Sequence, residues 1–166
     1  RAYTAIDQNP NAIERNRKTH HTIGIDFRVG DAQALDFPAG HFDAVINVEA
    51  SHCYPRQFDF FQSVHRVLKQ GGHLLYADFR TPQTSAQLDQ DIASAGFKVQ
   101  SKTDITSHVL EALDRTSEKY RALVHSFTPA FLHPVMETFA AVKGSGVYNS
   151  FVNRERIYYS YILLKE

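Results

Sequence analysis

Short apolar runs that suit β-strands alternate with segments of helical spacing through roughly the first hundred residues. Residues 42–48 are nearly continuously apolar, as expected for a buried parallel strand. This alternation favours a parallel α/β sheet wound by right-handed crossovers. The predicted strands are residues 3–6, 27–29, 42–48, 73–79, 97–105 and 157–164; the predicted helices are residues 10–18, 57–68 and 85–95, followed by a helical stretch over 107–143 that is broken at Pro129 and Pro134.

One helix boundary is predicted from glycines. Residues 57–68 place apolar side chains on one helical face, and we expect Gly71 and Gly72 to end that helix with a left-handed cap.

Composition excludes several classes of protein. The 166 residues suit a single domain, and 18 basic residues balance 18 acidic ones, which argues against a nucleic-acid partner. A single cysteine permits no intrachain disulfide and fits a cytoplasmic location. No apolar run approaches the roughly 20 residues that span a bilayer. We therefore expect an ordinary globular domain, and a small molecule is among the partner classes that composition leaves open.

Polar residues follow the predicted strands, where ligands bind in sheets of this kind. Asp7 could accept hydrogen bonds from both hydroxyls of a ribose, or it could cap the next helix. Asp31 could accept from an adenine amino group, with the following backbone amide on a ring nitrogen. Alone, an aspartate after Gly30 more commonly serves as a turn residue.

The segment after residues 42–48 carries the candidate base. Glu49 and His52 lie three residues apart at a strand end, and a histidine there could take a proton from a hydroxyl. Asp78 could orient His52, or it could simply pair with Arg80. Cys53 is expected to be half-buried and inert.

Two other classes of site find no support in the sequence. His20 and His21 are neighbours, but no H-x-x-x-H or C-x-x-C spacing is present, so we predict no metal site. No G-x-x-x-x-G-K-[ST] loop is present either, which argues against a P-loop nucleotidase.

Taken together, four motifs in order resemble the class I S-adenosylmethionine-dependent methyltransferases. They are Ala-Ile-Asp7, Gly-Asp31-Ala-Gln-Ala-Leu-Asp-Phe-Pro, the strand at 42–48, and Arg66-Val-Leu-Lys-Gln-Gly-Gly72, in which Gln70 replaces the usual proline. The resemblance implies S-adenosylmethionine as cofactor, with Asp7 on its ribose and with Asp31 and the Ala32 backbone on its adenine. It places Asn47 and Glu49 at the boundary between cofactor and acceptor.

Within that family, residues 47–55 followed by Tyr76-Ala-Asp78 are similar to the mycobacterial phthiotriolone and glycopeptidolipid-type O-methyltransferases. More distantly they are similar to natural-product sugar O-methyltransferases, where a histidine and an aspartate are proposed to activate the acceptor hydroxyl. His52 and Asp78 fall on those positions, and the resemblance therefore implies catalytic roles for both.

The chain departs from the family at its start. The family's first strand and glycine-rich loop precede the strand that here begins at about Tyr3, so we interpret the chain as truncated. Two halves of the sheet would then have unpaired edges facing a gap. Another copy of the chain, a rearranged strand or a lost segment would fill it, and a homodimer is one predicted partner state.

We therefore predict one truncated α/β domain over residues 1–166, doubly wound, with a mostly parallel sheet that lacks the family's first strand and helix. Residues 1–105 form the cofactor-side core, 106–150 a helical acceptor-side insert, and 151–166 the closing antiparallel strand. Of the insert's aromatic residues, at least half are expected to be core and the rest to line an acceptor pocket: Phe127, Phe131, Phe139, Tyr148 and Phe151.

The predicted function is methyl transfer to a hydroxyl of a lipid, polyketide or sugar-bearing metabolite. The alternative is a non-catalytic remnant that folds, as a scaffold or dimer, with little cofactor binding. A NAD-dependent Rossmann enzyme shares the acid at Asp7, but the run from Arg66 to Gly72 and the late aromatic strand argue against it. The motifs do not identify the acceptor.

Overall fold

The computed structural model describes residues 2–20 and 24–166. Its strands are β1 (Tyr3–Asp7), β2 (Ile25–Val29), β3 (Phe42–Val48), β4 (Leu68–Arg80), β5 (Phe97–Asp104) and β6 (Ile157–Lys165). Its helices are α1 (Pro10–Thr19), α2 (Gln57–Val67), α3 (Pro82–Ser94), α4 (Thr106–Phe127), α5 (His133–Phe139) and α6 (Gly146–Val152).

The strands form two sheets. β1 and β2 pair in parallel, and the larger sheet has the order β3-β4-β6-β5. β3 and β4 are parallel, whereas β6 runs antiparallel to both of its neighbours. The mostly parallel α/β fold with a helical insert before an antiparallel last strand is therefore confirmed.

A cavity of about 580 Å³ separates the two sheets and is lined by both β1 and β3. Within the described residues, β1 pairs only with β2 and β3 only with β4, so each strand has a free edge. The predicted gap between two half-sheets is present. The predicted burial of β3 is wrong, because Ile46 is 70% exposed and Val48 57% exposed along this open side.

Helices α2 and α3 cover one face of the larger sheet. The apolar face of α2 packs inward as its spacing predicts, and alternate residues of β4 and β6 meet it because strand side chains point to opposite faces. The largest fully buried side chains of this core are Tyr76, Tyr161, Phe60, Phe61, Leu68, Leu74, Leu88, Ile92 and Leu163.

Helices α1 and α3 both begin at a proline that follows a capping residue. Asn9 lies just before Pro10, and its side chain accepts a hydrogen bond from the Asn11 amide. Helix α1 therefore begins at Pro10, as predicted. Thr81 and Thr84 form a reciprocal capping box around Pro82. This signal starts α3 three residues earlier than predicted.

The Gly71–Gly72 pair does not end α2, which corrects the sequence interpretation. The helix ends at Val67, and β4 begins at once with Leu68 and contains both glycines in an irregular stretch of the β3–β4 pairing. A Cβ on Gly72 would lie 2.8 Å from the backbone oxygen of Lys69 and 3.1 Å from that of Asp43. The glycine is therefore required by close backbone approach within the strand.

A Gly72→Ala variant is expected to lower the free energy of unfolding by about 1–3 kcal/mol, because rigid backbone atoms must move to admit the methyl group. Gly146→Ala is the matched control, since beyond its chain neighbours and the backbone of its own helix no described heavy atom lies within 4 Å of its added Cβ. Urea unfolding of both variants measures the difference. Equal stability of the two would contradict the steric explanation.

The helical insert is interrupted as predicted at Pro129, whereas Pro134 lies in the first turn of α5 and starts that helix. Its aromatic residues are mostly not core, contrary to expectation. Phe127, Phe131 and Phe139 are 81%, 78% and 86% exposed, and only Phe151 is fully buried. None of the helices in the described residues has the length and apolar character needed to cross a membrane.

Candidate active site

The carboxyl ends of β1 and β3 meet at one end of the cavity between the sheets. Its walls there include Asp7, Gly30, Ala32 and Asn47, which come from separate parts of the chain. The topology thus brings together three of the five predicted cofactor-binding residues. Asp31 adjoins this group without lining the cavity itself.

Asp7 is held by a local turn. Its Oδ1 atom accepts a hydrogen bond from the Asn9 amide at 2.7 Å, while Asn9 rather than Asp7 caps α1. The second carboxylate oxygen of Asp7 is left for another donor. The capping role weighed for Asp7 is therefore wrong, and its position at the cavity fits a ligand with hydroxyl groups.

Asp31 begins a short 3-10 turn. The Gln33 backbone N–H donates to its Oδ1 at 2.8 Å, and this bond lowers the pKa of Asp31 below its ordinary value. The Arg56 guanidinium approaches Oδ2 at 3.8 Å. Asp31 therefore serves as the turn residue that was considered for it, and its carboxylate stays ionised. Its Oδ2 atom is held less strongly than Oδ1, since the Arg56 contact is longer than a hydrogen bond.

Asn47 carries an unsatisfied group. Its Nδ2 donates to the Tyr54 hydroxyl at 3.1 Å, but its Oδ1 is buried and has no partner among the described residues. Buried acceptors without partners are rare and usually point to a missing ligand or water. Because Asn47 lines the cavity beside Asp7, this orphan oxygen fits a ligand that offers N–H or O–H donors.

His52 and Asp78 form a hydrogen-bonded pair, as predicted. The His52 Nδ1 atom lies 2.8 Å from Asp78 Oδ1, with the aspartate side chain fully buried and the histidine side chain 28% exposed. The pair bridges the turn after β3 and the end of β4, which are neighbouring strands. Parallel pairing of these strands is what brings the two residues together.

Further donors surround the Asp78 carboxylate. The Ser51 hydroxyl and the His52 amide each donate to Oδ2 at 2.8 Å, and the Phe79 amide donates to Oδ1 at 2.9 Å. The Arg80 guanidinium lies 3.3 Å from Oδ2. Both roles considered for Asp78, orienting His52 and pairing with Arg80, are therefore present together.

The donors around Asp78 favour one tautomer of His52. An ionised carboxylate can only accept, so the Nδ1 atom of His52 must carry the proton that it shares with Asp78. The Nε2 atom then has a free lone pair, and it makes no hydrogen bond within the described part of the chain. The pair can therefore accept a proton from a hydroxyl at Nε2.

Arg80 is the main site residue that sequence reasoning assigned only a structural role. Its guanidinium is buried and donates to the Ser51 and Tyr76 hydroxyls at 2.8 and 2.9 Å, and to Gln57 at 2.5 Å. Burial raises the pKa of the Tyr76 hydroxyl, which keeps that group protonated. The sequence pattern of β4 could have indicated its burial, because Leu74 and Arg80 stand an even number of residues apart and so share one face of the strand.

Two residues of the segment after β3 differ from their predictions, Glu49 in its place at the site and Cys53 in its exposure. Glu49 is exposed, adopts a left-handed conformation with φ of 54°, and lines neither the cavity between the sheets nor the groove beside His52. Such a conformation is uncommon outside glycine and usually marks a constrained position. Cys53 is exposed rather than half-buried.

Metal-binding side chains do not gather in the structure. Among residues 2–20 and 24–166, no group of three or more histidine, cysteine or acidic side chains could hold an ion. His21, the second of the neighbouring histidines, lies outside the described residues.

Comparison with known family models gives a match over the N-terminal part of the chain. Residues 1–76 match a family model described as a methyltransferase domain. This range includes Asp7, Asp31, Asn47 and His52, and it ends two residues before Asp78.

Curated relatives extend the similarity over the chain. A phthiotriol/phenolphthiotriol dimycocerosates methyltransferase of Mycobacterium leprae is 38% identical over 165 residues, which are 99% of this chain and 61% of the relative. A fatty-acid O-methyltransferase of Mycolicibacterium smegmatis is 34% identical over 141 residues, covering 85% of this chain and 52% of the relative. The chain thus spans about half to three-fifths of the length of these relatives.

Solved structures share the fold. Phosphoethanolamine N-methyltransferase 2 of Haemonchus contortus, in complex with S-adenosyl-L-methionine, superposes with a TM-score of 0.74 at 15% identity, covering 98% of this chain and 43% of that one. At this identity the likeness concerns the fold alone. The family match over residues 1–76 and the relatives over nearly the whole chain agree that this chain is similar to methyltransferases.

Proposed function

We propose that this chain carries the nucleoside half and the catalytic pair of an S-adenosylmethionine-dependent methyltransferase, which acts on a hydroxyl of a lipid, polyketide or sugar-bearing metabolite. The observation that carries the proposal is the His52–Asp78 pair, joined by a hydrogen bond of 2.8 Å in the groove that shares Tyr54 with the cavity of the unsatisfied Asn47 oxygen. The printed names of the relatives, a phthiotriol dimycocerosates methyltransferase and a fatty-acid O-methyltransferase, support a lipid acceptor.

The residues at the cavity fit the donor. The free oxygen of Asp7 would accept from the ribose hydroxyls, and Asp31 with the Ala32 backbone would bind the adenine. Asn47 would offer its orphan oxygen to a donor group of the ligand. When bound, S-adenosylmethionine supplies an electrophilic methyl group on a sulfonium centre.

The protein's part in the reaction is positioning and proton removal. His52 Nε2 would accept the proton of the acceptor hydroxyl, while Asp78 holds the Nδ1 proton and stabilises the imidazolium that forms. Tyr54 lines both the cavity between the sheets and the groove beside His52, so it would separate cofactor from acceptor. A homodimer and a cytoplasmic location remain predictions.

Calorimetric titration of the 166-residue chain with S-adenosylhomocysteine tests the cofactor half of the proposal. Asp7→Asn keeps the acceptor for the Asn9 amide but removes the charge, and we expect affinity to fall by about tenfold to a hundredfold. Asn47→Leu is expected to weaken binding by about tenfold, because it removes the oxygen that would accept a hydrogen bond from the ligand.

Asp26→Asn, an exposed carboxylate on the neighbouring strand β2, is the control and should leave binding unchanged. Absence of S-adenosylhomocysteine binding by the folded chain would overturn the proposal that this chain binds the nucleoside. The same holds if Asp7→Asn and Asp26→Asn bind equally well.

A further inference from the structure

A second groove, of about 390 Å³, opens beside the catalytic pair. Its lining includes His52, Phe79 and Arg156. Arg156 directly precedes β6, and its amide donates to the Ser150 oxygen at 3.0 Å. Because Ile157 pairs with Arg80, the antiparallel start of β6 places Arg156 at the carboxyl edge of β4.

One aromatic ring contacts both functional groups of this groove. The Phe79 ring centroid lies 4.4 Å from the His52 ring and 5.2 Å from the Arg156 guanidinium carbon. A cation stacked on an aromatic ring is held in place while its N–H groups stay available at its edge. A single small molecule can therefore reach His52 and Arg156 together.

Arg156 carries a charge that the described residues do not balance. Arg80 pairs with Asp78, and Arg154 pairs with Asp104 at 2.6 Å, but no described carboxylate forms an ion pair with Arg156. A half-buried arginine without a carboxylate partner favours an anionic ligand, and a planar carboxylate matches its donors.

Two further parts of the groove lining contribute to its electrostatics. Asp91, a carboxylate of its wall, accepts hydrogen bonds from the Gln57 and Gln87 amides at 3.2 and 2.8 Å. The first turn of α3, with Thr81 and Thr84, also lines the groove and adds the positive end of a helix dipole. Arg156 is therefore the side chain of this groove that offers an unpaired positive charge within the described part of the chain, while Asp91 keeps its negative charge.

We propose that Arg156 binds the carboxylate of a hydroxy-acid acceptor whose hydroxyl lies at His52 Nε2. The inference rests on the proposed methyltransferase function and narrows its acceptor to a molecule that carries both groups. The hydroxyl oxygen forms a bond to the methyl carbon as the donor's carbon–sulfur bond breaks, and the hydroxyl proton passes to His52. The carboxylate is unchanged, so the product is an ether acid and not an ester.

Binding of 3-hydroxydecanoate and of its methyl ester to the 166-residue chain tests this assignment by calorimetry. Wild type should bind the acid about tenfold more tightly than the ester, since a charge-assisted pair contributes about that much. Arg156→Gln should remove the preference, and Arg156→Lys should retain part of it. Arg154→Gln is the matched control, because it removes the same charge from a neighbouring residue already paired with Asp104.

Several outcomes would overturn the inference: equal binding of acid and ester by wild type, no binding of either, or an acid preference that survives in Arg156→Gln. Weaker S-adenosylhomocysteine binding in Arg156→Gln would place the arginine in the cofactor site instead and also overturn it. An acid preference that depends on Arg156, without methyl transfer, would refute the proposed reaction but leave the carboxylate site in place. An ester product would show that the carboxylate itself is the acceptor and would overturn the assigned pose.

Discussion

An Asp78→Ala variant is expected to lose about 3–5 kcal/mol of unfolding free energy. The substitution leaves Arg80, which is 6% exposed, as a buried charge without its counter-ion. It also removes the acceptor that binds the Ser51 hydroxyl and the His52 amide. Urea unfolding followed by circular dichroism would measure the loss, and an unchanged m value would show that the compactness of the native state is preserved.

Two comparisons isolate the buried charge. Asp43→Ala removes an aspartate whose side chain is 86% exposed and which pairs with Lys69, so its cost should stay below about 1 kcal/mol. Arg80→Met added to Asp78→Ala should recover part of the loss, because both charges are then absent. If the double variant is no more stable than Asp78→Ala, the explanation by an uncompensated arginine is wrong.

A His52→Ala variant is expected to transfer methyl groups about 10²–10⁴ times more slowly than wild type, with S-adenosylhomocysteine affinity unchanged. The imidazole is the only group that the proposed mechanism uses to remove the hydroxyl proton, and its Nε2 atom is free to do so. Initial rates with radiolabelled S-adenosylmethionine and 3-hydroxydecanoate would measure the effect, and calorimetry would confirm cofactor binding.

His52→Asn separates catalysis from folding. Its amide can still donate to Asp78 in place of Nδ1, yet it offers no basic nitrogen, so the rate should fall as far as in His52→Ala. His108→Ala, at an exposed position in the first turn of α4, should keep the wild-type rate. A His52→Asn variant with nearly wild-type activity would mean that positioning alone suffices and that no base is needed.

Local sequence patterns predicted the helices and strands well, but they predicted the tertiary contacts of individual residues less well. The strand over 42–48 and the starts of α1 and β6 follow from periodicity and from capping residues. The role assigned to Gly71 and Gly72 was wrong. A glycine pair after a helix has the same sequence whether it caps the helix or lies in a strand that another backbone segment approaches closely. Only the neighbouring backbone of Asp43 distinguishes these cases.

Some residues of the candidate site could be recognised from local sequence, and others could not. Asp7, Asp31, His52 and Asp78 stand next to strand ends, so the chain alone identifies them as ligand-facing candidates. Arg156 could not be recognised in this way, since it precedes an antiparallel strand and reaches the same edge only through the pairing of Ile157 with Arg80.

The sequence by itself determined the family motifs, the order of strands and helices, and the residue types available for proton transfer, because these depend on local spacing. Tertiary structure decided that Asp78 serves both His52 and Arg80, and that Phe127, Phe131 and Phe139 of the insert are exposed. It also decided that β1 and β3 each keep a free edge within the residues that the structure describes. These features depend on which segments that are distant in sequence come into contact. Burial and charge pairing arise from those contacts, so the sequence of a single segment does not determine them.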